Sequence, residues 1–312
     1  MSAPERYPWA AAVGAEAPPP AAAPGPGVYP ISPLARTFND EGHRGHTRRR
    51  GAMGQPPPEG DDFMSLKDQI VLLTGSSGGI GDAVTSALMA EGAFVVGADR
   101  VPKKDQPLGA FLPLDITSEQ HCADLVQDVT GKYGRIDALI HAAGVLGTTP
   151  DPLETTTEEF ESVMRTNASG TYSMVREAAR SMIGSGTAGG IVVLSSVAAK
   201  EARRNYLPYN ASKLAVLHIM WSFAQILGPH GIAVNAVAPG PVNTTMWTQF
   251  AKDTGPDAAA NRAQRAAQLP MGRFAEPEEV ARAILFLADP DNRYITGVAL
   301  DVAGGAHLGM GT

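Results

Sequence analysis

From Gln69 to Gly240 the chain alternates short, nearly unbroken apolar runs with longer amphipathic stretches. The runs are "QIVLLTG", "AFVVGAD", "ALIHAAG", "GGIVVLSS" and "IAVNAVAPG". A strand that presents no polar side is covered on both faces, and such strands belong to parallel sheets whose crossovers are helices. Right-handed crossovers of this kind wind a sheet in both directions from its centre. The pattern therefore predicts an α/β fold of Rossmann type: a doubly wound parallel sheet, three layers, a single domain. The stretch after the first run predicts a helix from about Ile80 to Glu91, and Ser118 to Tyr133 predicts another. No internal repeat is visible.

Residues 1–63 break the pattern. They are rich in Pro and Ala ("APPPAAAPGPG", "GQPPPEG") and carry a basic knot at Arg48, Arg49 and Arg50. Too few large apolar side chains are present to offset the entropy of ordering, so a disordered extension is expected before a domain spanning 64–312. Pro and Gly interrupt any apolar core of a signal peptide, and Asp40, Glu41, Asp61 and Asp62 argue against a transit peptide.

Composition narrows the function classes. Of the 312 residues 44% are hydrophobic and 18% charged, and the net charge of -7 argues against a nucleic-acid partner. No apolar stretch reaches the roughly 18 residues that cross a bilayer, so no membrane partner is expected. The single cysteine, Cys122, rules out an internal disulfide framework and fits a reducing, cytoplasmic setting. It falls on the second predicted helix, without the His or cationic neighbours of a reactive thiolate. No metal site is expected.

The first strand runs into Thr74-Gly-Ser-Ser-Gly-Gly-Ile-Gly81. Gly75, Gly79 and Gly81 let the backbone turn tightly against a pyrophosphate, and the helix behind them offers free N–H groups. Ser77 and Ile80 belong to the same turn. Asp99 closes the second strand 18 positions after Gly81, where a carboxylate can take both hydroxyls of an adenosine ribose. That carboxylate would repel a 2′-phosphate, and position 78 is Gly rather than a cation, so NAD is favoured as cofactor. Arg100, next in sequence, keeps NADP open.

Further on, "YNASK" places Tyr209 and Lys213 at i and i+4, one helical turn apart on one face. With the glycine turn, this pair resembles the short-chain dehydrogenase/reductase family in its branch of about 250 residues. The resemblance runs from about Leu66 to the end. It is carried in order by "TGSSGGIG", "DIT" at Asp115, "HAAG" at 141–144, Asn167, "SS" at 195–196, "YNASK", "PGPVNT" at 239–244, "GRFAEPEEVA" and "ITGVALDVAGG".

The resemblance implies a catalytic group of Asn167, Ser196, Tyr209 and Lys213, with Ser196 chosen over Ser195 because it stands thirteen positions before Tyr209. Tyr209 would be the acid/base, Lys213 its electrostatic tuner and a ligand of the nicotinamide ribose. Ser196 would hold the substrate oxygen, and Asn167 a water that relays protons. By the same likeness Asp115 and Ile116 contact adenine, Ala143 and Gly144 line the cofactor, and Pro239, Gly240, Val242 and Thr244 border the nicotinamide. Two positions depart from the family's pattern: His141 stands where Asn is frequent, and Ala303 where Asp is. The first should bear on how the central strands are braced, the second on the last turn.

The reading is an oxidoreductase moving a hydride between NAD(H) and a small secondary alcohol or ketone. An NADP-using biosynthetic ketoreductase and a catalytically silent NAD-binding regulator are the alternatives, and the complete tetrad argues against silence. Nucleotide-sugar epimerases share Tyr-x-x-x-Lys but differ in glycine spacing and carry a longer C-terminal domain. Thr245 to Phe274 should form the lid, with Met246, Trp247 and Phe250 toward the pocket. Lys200, Arg203 and Arg204 lie on a loop bordering it. The stripe Leu214, Leu217, Trp221 and Ala224 reads mainly as core. The resemblance implies a homo-oligomer, tetramer or dimer, built through this helix and the one bearing Asn167.

Overall fold

The computed structural model describes residues 66–248 and 258–306. The expected extension 1–63 and Phe250 lie outside the described residues. The fold begins at Leu66, which is fully buried.

Seven strands form one sheet: β1 (Ile70–Thr74), β2 (Phe94–Asp99), β3 (Ala110–Pro113), β4 (Ala138–His141), β5 (Gly190–Leu194), β6 (Ala233–Pro239) and β7 (Ala299–Val302). Their order is β3-β2-β1-β4-β5-β6-β7, and each pair of neighbours is parallel. The described helices are α1 (Gly79–Ala90), α2 (Glu119–Tyr133), α3 (Thr157–Met164), α4 (Gly170–Ser185), α5 (Leu207–Leu227), α6 (Ala258–Ala267) and α7 (Pro277–Ala288).

Strand residues alternate between two cores. Val71 and Leu73 of β1 join Val84 and Leu88 of α1 and Val280 and Ile284 of α7 on one face. Leu72 joins Leu125 of α2, Met174 of α4 and Val216 of α5 on the other. Each such fully buried side chain contributes about 1.5–3 kcal/mol relative to exposure, which is why the apolar runs are unbroken. The expected doubly wound, three-layer α/β fold is what the strands and helices form.

β1 is the point from which the chain winds outward in both directions, so the loops after β1 and β4 diverge and open a crevice at the carboxyl edge. Ala142 N donates to Thr74 O at 3.0 Å and holds the two loops side by side at its mouth.

Three features depart from the hydrophobic pattern. β3 ("AFLP") and β7 ("ALDV") are not among the runs picked out from the sequence; both are edge strands, half-buried along their whole length. The helix expected to carry Asn167 is interrupted by a π-helical segment, Arg165–Ser169, between α3 and α4. The apolar stripe on α5 is not mainly core: Leu217 and Ala224 are buried, but Leu214 and Trp221 are 52% and 42% exposed. At about 100° per residue the stripe spans an arc, and only the edge shared with Val216, Met220 and Leu227 meets the sheet.

Candidate active site

A cleft of about 1040 Å³ opens along the carboxyl edge of the sheet. At one end is the glycine turn. Gly75 has φ +72, and a Cβ there would lie 2.5 Å from Ala143 N, so a side chain would break both the turn and its contact with the β4 loop. A Cβ on Gly81 would lie 2.1 Å from Gly75 O. Gly78 caps α1 without a side-chain bond, so the first amides of α1 are not covered by a capping group. Gly79, Ile80 and Gly81 line the cleft beside them.

Asp99 also lines the cleft. Its Oδ2 accepts from Ser77 N at 3.1 Å and its Oδ1 from Arg100 N at 2.7 Å, so the carboxylate is pinned at the strand end with lone pairs to spare. Ser77 itself is not in the lining; its hydroxyl donates to Val101 O at 2.7 Å and ties the glycine turn to the chain after β2. Arg100 lines the cleft next to Asp99. Asp115 accepts from Thr117 N and Thr117 Oγ1 at 3.0 and 2.7 Å, which fixes the turn presenting Ile116 to the cleft.

Ala143 and Gly144 form the floor, and Pro239, Gly240, Val242 and Thr244 the far wall. A Cβ on Gly240 would meet Ala303 Cα at 2.9 Å, so Ala303 bears on the wall directly. Thr244 sits over Gly79, its Cγ2 2.9 Å from where a Cβ would stand. A glycine-lined channel ending on open helix amides, with a fixed carboxylate to one side, fits the phosphates and ribose of a dinucleotide.

The other end of the cleft brings Ser196, Tyr209 and Lys213 together. Ser196 follows β5 as the cap of a short 3-10 turn, its Oγ accepting from Ala198 N at 3.1 Å. Tyr209 is half-buried in the first turns of α5. Burial pushes its phenol up, while the facing Ser196 hydroxyl and the Arg203 charge pull it down. Lys213 is buried and donates from Nζ to Leu194 O at 2.9 Å. Desolvation lowers its ammonium to about 8. The positive charge that pulls the Tyr209 phenol down is that of Arg203, on the loop before α5, a part the sequence reading gives to Lys213.

Asn167 lies behind the cleft rather than in its lining, fully buried. Its Oδ1 accepts from Val145 N at 2.8 Å, and its Nδ2 donates to Val145 O at 2.8 Å and to Ser212 Oγ at 2.9 Å. The π-helical segment turns this side chain toward the β4 loop, where a Cβ on Gly144 would lie 3.1 Å from Asn167 Oδ1 and 3.3 Å from Lys213 Nζ. Ser195, the serine set aside on spacing, also lines the cleft, and its Oγ donates to Lys213 O at 2.9 Å, tying β5 to α5.

His141 braces β1 and β4, with Nδ1 and Thr74 Oγ1 2.7 Å apart. Burial, and secondarily Lys213, lower it to about 3, so it is a neutral strut. Cys122 is buried and pushed up to about 12, which leaves it inert. Of the loop cations, Lys200 is engaged elsewhere, with Asp301 at 2.5 Å and Ala299 O at 3.3 Å. Arg203 and Arg204 do line the cleft, joined by Glu201 and by Arg265 of α6, two residues that no sequence pattern marked. Met246 and Trp247 line it too, Trp247 edge-on to Phe274 with centroids 4.6 Å apart. Among the described residues no group of His, Cys, Asp and Glu could hold a metal, and no helix is long and apolar enough to cross a membrane.

Comparison with known proteins agrees with this arrangement. A family model described as enoyl-(acyl carrier protein) reductase matches residues 75–307. L-fucose dehydrogenase of Bos taurus is 32% identical over 249 residues, covering 78% of this chain and 91% of the relative. The 3-oxoacyl-[acyl-carrier-protein] reductase FabG of Thermotoga maritima is 34% identical over 254 residues, covering 78% and 99%. A solved short-chain type dehydrogenase/reductase from Mycobacterium ulcerans superposes with a TM-score of 0.72 at 31% identity, covering 80% of this chain and 93% of that one. With its parallel sheet, glycine turn and Tyr–Lys helix, this chain belongs to the short-chain dehydrogenase/reductase family of oxidoreductases.

Proposed function

We propose that the protein interconverts a secondary alcohol and its ketone with NAD(H), using Tyr209 as the acid/base. The observation that carries this reading is the convergence of Tyr209, Ser196 and Lys213 at the end of a cleft whose opposite end is the glycine turn and Asp99. When bound, the dinucleotide supplies or accepts the hydride.

Tyr209 donates its proton to the carbonyl oxygen in reduction and takes it back in oxidation. Arg203 and Ser196 oppose the rise that burial imposes on the phenol and so keep its proton transferable. Ser196 holds the substrate oxygen beside Tyr209, a positioning contribution that fixes the reacting geometry. Lys213, whose Nζ lies close to Gly144 and donates to Leu194 O, would hold the nicotinamide ribose hydroxyls. Asn167 is a positioning residue: with both ends of its amide on Val145 and Ser212, it clamps the β4 loop to α5. That supports a framing role over the water-holding role the family likeness implies.

Asp99 supports NAD, because an ionised carboxylate at the ribose disfavours a 2′-phosphate. Arg100 in the same lining is the observation that favours the NADP reading, so the two are weighed by one experiment. Steady-state turnover of a panel of alcohols and ketones with each cofactor should show higher kcat/KM with NAD(H). Preference for NADP(H) would reject the cofactor assignment, and normal turnover in Tyr209→Phe would reject the mechanism. We also propose a cytoplasmic homo-oligomer, tetramer or dimer; the exposed Leu214 and Trp221 on α5 support the association.

A further inference from the structure

Between β4 and α3 the chain runs past the cleft as a strip from Val145 to Pro150. Val145 and Leu146 line the cleft and also a second cavity of about 520 Å³, bordered as well by Val163 and Met246. A strip that faces open space in two cavities gains little from packing, so hydrogen bonds must fix its course. Asn167 supplies them at Val145. Farther along they come from one side chain, Glu159, in the first turn of α3.

Glu159 Oε1 accepts from Thr148 N at 2.6 Å, from Thr148 Oγ1 at 3.0 Å and from Thr149 N at 2.8 Å. Its Oε2 accepts from Thr149 Oγ1 at 2.5 Å. These donors, the Thr149 hydroxyl first, push the carboxyl down to about 2, so both oxygens stay acceptors near neutral pH. Gly147, at φ +97, leaves room for the approach: a Cβ there would lie 3.2 Å from Oε1. Beyond the clamp, Pro150 O accepts from Tyr206 N at 2.9 Å. Tyr206 opens α5 at φ 56, a left-handed conformation that a tyrosine keeps only where its surroundings impose it. Tyr209 follows in the first turn of that helix.

We propose that Glu159 is a positioning residue of the site. By clamping Thr148 and Thr149 it fixes the wall that Val145 and Leu146 present to the substrate. Through Pro150 it also fixes the start of the helix that carries Tyr209. The inference rests on the alcohol–ketone reading with Tyr209 as acid/base. Glu159 acts through the loop and touches no reacting atom, and the glycine turn that receives the cofactor is not part of the clamp.

The test uses the full chain with NAD and whichever secondary alcohol of a panel it oxidises fastest. Glu159→Ala should raise the KM for that alcohol about tenfold and lower kcat several-fold, while NADH affinity stays within about twofold. A merely structural role would lower the melting temperature and leave KM in place. Glu159→Gln keeps the length and an acceptor for the strip, so it should hold KM within about threefold of the parent, whereas the shorter Glu159→Asp should resemble the alanine variant. Should Glu159→Ala fail to fold, Thr149→Val removes the donor to Oε2 and should still raise KM about threefold. KM unmoved in the alanine and valine variants, or retained by Asp and lost by Gln, overturns the clamp and leaves the alcohol–ketone reading intact. If the parent oxidises no alcohol, that reading fails instead, and amide hydrogen exchange at Tyr206 decides the clamp. Exchange at least tenfold faster in Glu159→Ala than in the parent supports it, and equal exchange rejects it.

Discussion

Lys213 Nζ lies 5.7 Å from the centroid of the Tyr209 ring and donates to the Leu194 carbonyl at 2.9 Å. The one-turn spacing on α5 sets the first relationship, and the end of β5 sets the second. The lysine is therefore held by the sheet while it faces the tyrosine, and its two proposed duties can be separated by substitution.

Tyr209→Phe keeps the ring but removes the proposed proton donor and acceptor. Turnover should fall by about 10²–10⁴-fold or more. NADH affinity, read by fluorescence titration, should barely change. Lys213→Ala should lose turnover and weaken NADH as well; equal NADH affinity in both variants would remove the lysine from the ribose.

NADH binding should depend on pH if Lys213 holds the ribose. Its ammonium is lowered to about 8 by burial, so as pH rises through that value the protein loses charged donors for the ribose. The NADH dissociation constant should increase across this range in the parent and stay flat in Lys213→Met. A flat parent curve would reject ribose binding by the ammonium.

Asp99 is both an anion and the acceptor for Ser77 N and Arg100 N. Asp99→Asn keeps an acceptor and removes the charge, so discrimination against NADP should relax on the order of 10–100-fold in kcat/KM with little change in melting temperature. Asp99→Ala should relax it too but also loosen the turn, at a cost of about 1 kcal/mol in denaturant unfolding. Unchanged cofactor preference in both would show that another group does the sorting.

His141 should make the fold acid-sensitive. Its folded value, about 3, lies below the ordinary 6.5, so between those limits the unfolded chain binds the extra proton. Stability should fall as pH drops from 6.5 toward 3, by on the order of 2 kcal/mol at pH 5 from this residue. His141→Asn should flatten that slope while altering stability at pH 7 through the Thr74 contact. An unaltered slope would mean that other groups govern acid unfolding.

A chain beginning at Met64 should retain kcat/KM, because the buried core opens at Leu66 and the family match lies within residues 75–307. Loss of soluble protein or of turnover on removing residues 1–63 would show that the extension is required.

Much of this protein is legible without coordinates, because its signals are local. Apolar runs such as "IVLLT" mark strands covered on both faces, and Gly75 marks a turn that only a residue tolerating φ +72 can make. Tyr209 and Lys213 share a face by helical periodicity alone. What the sequence could not contain is anything that depends on which distant segments meet. β3 ("AFLP") and β7 ("ALDV") declare themselves as strands only by pairing with β2 and β6, as the half-buried edges of the sheet. Leu214 and Trp221 have the spacing of core residues, yet they lie on a part of α5 that the rest of the chain does not cover. Asn167 is recognisable by its setting in the chain, but its bonds to Val145 and Ser212, 22 and 45 positions away, exist only because a π-helical segment turns it toward the β4 loop. Arg265 and Glu201 carry no motif at all. They share the cleft lining with Arg203 and Tyr209, and charge–charge energies depend on separation in space, not along the chain.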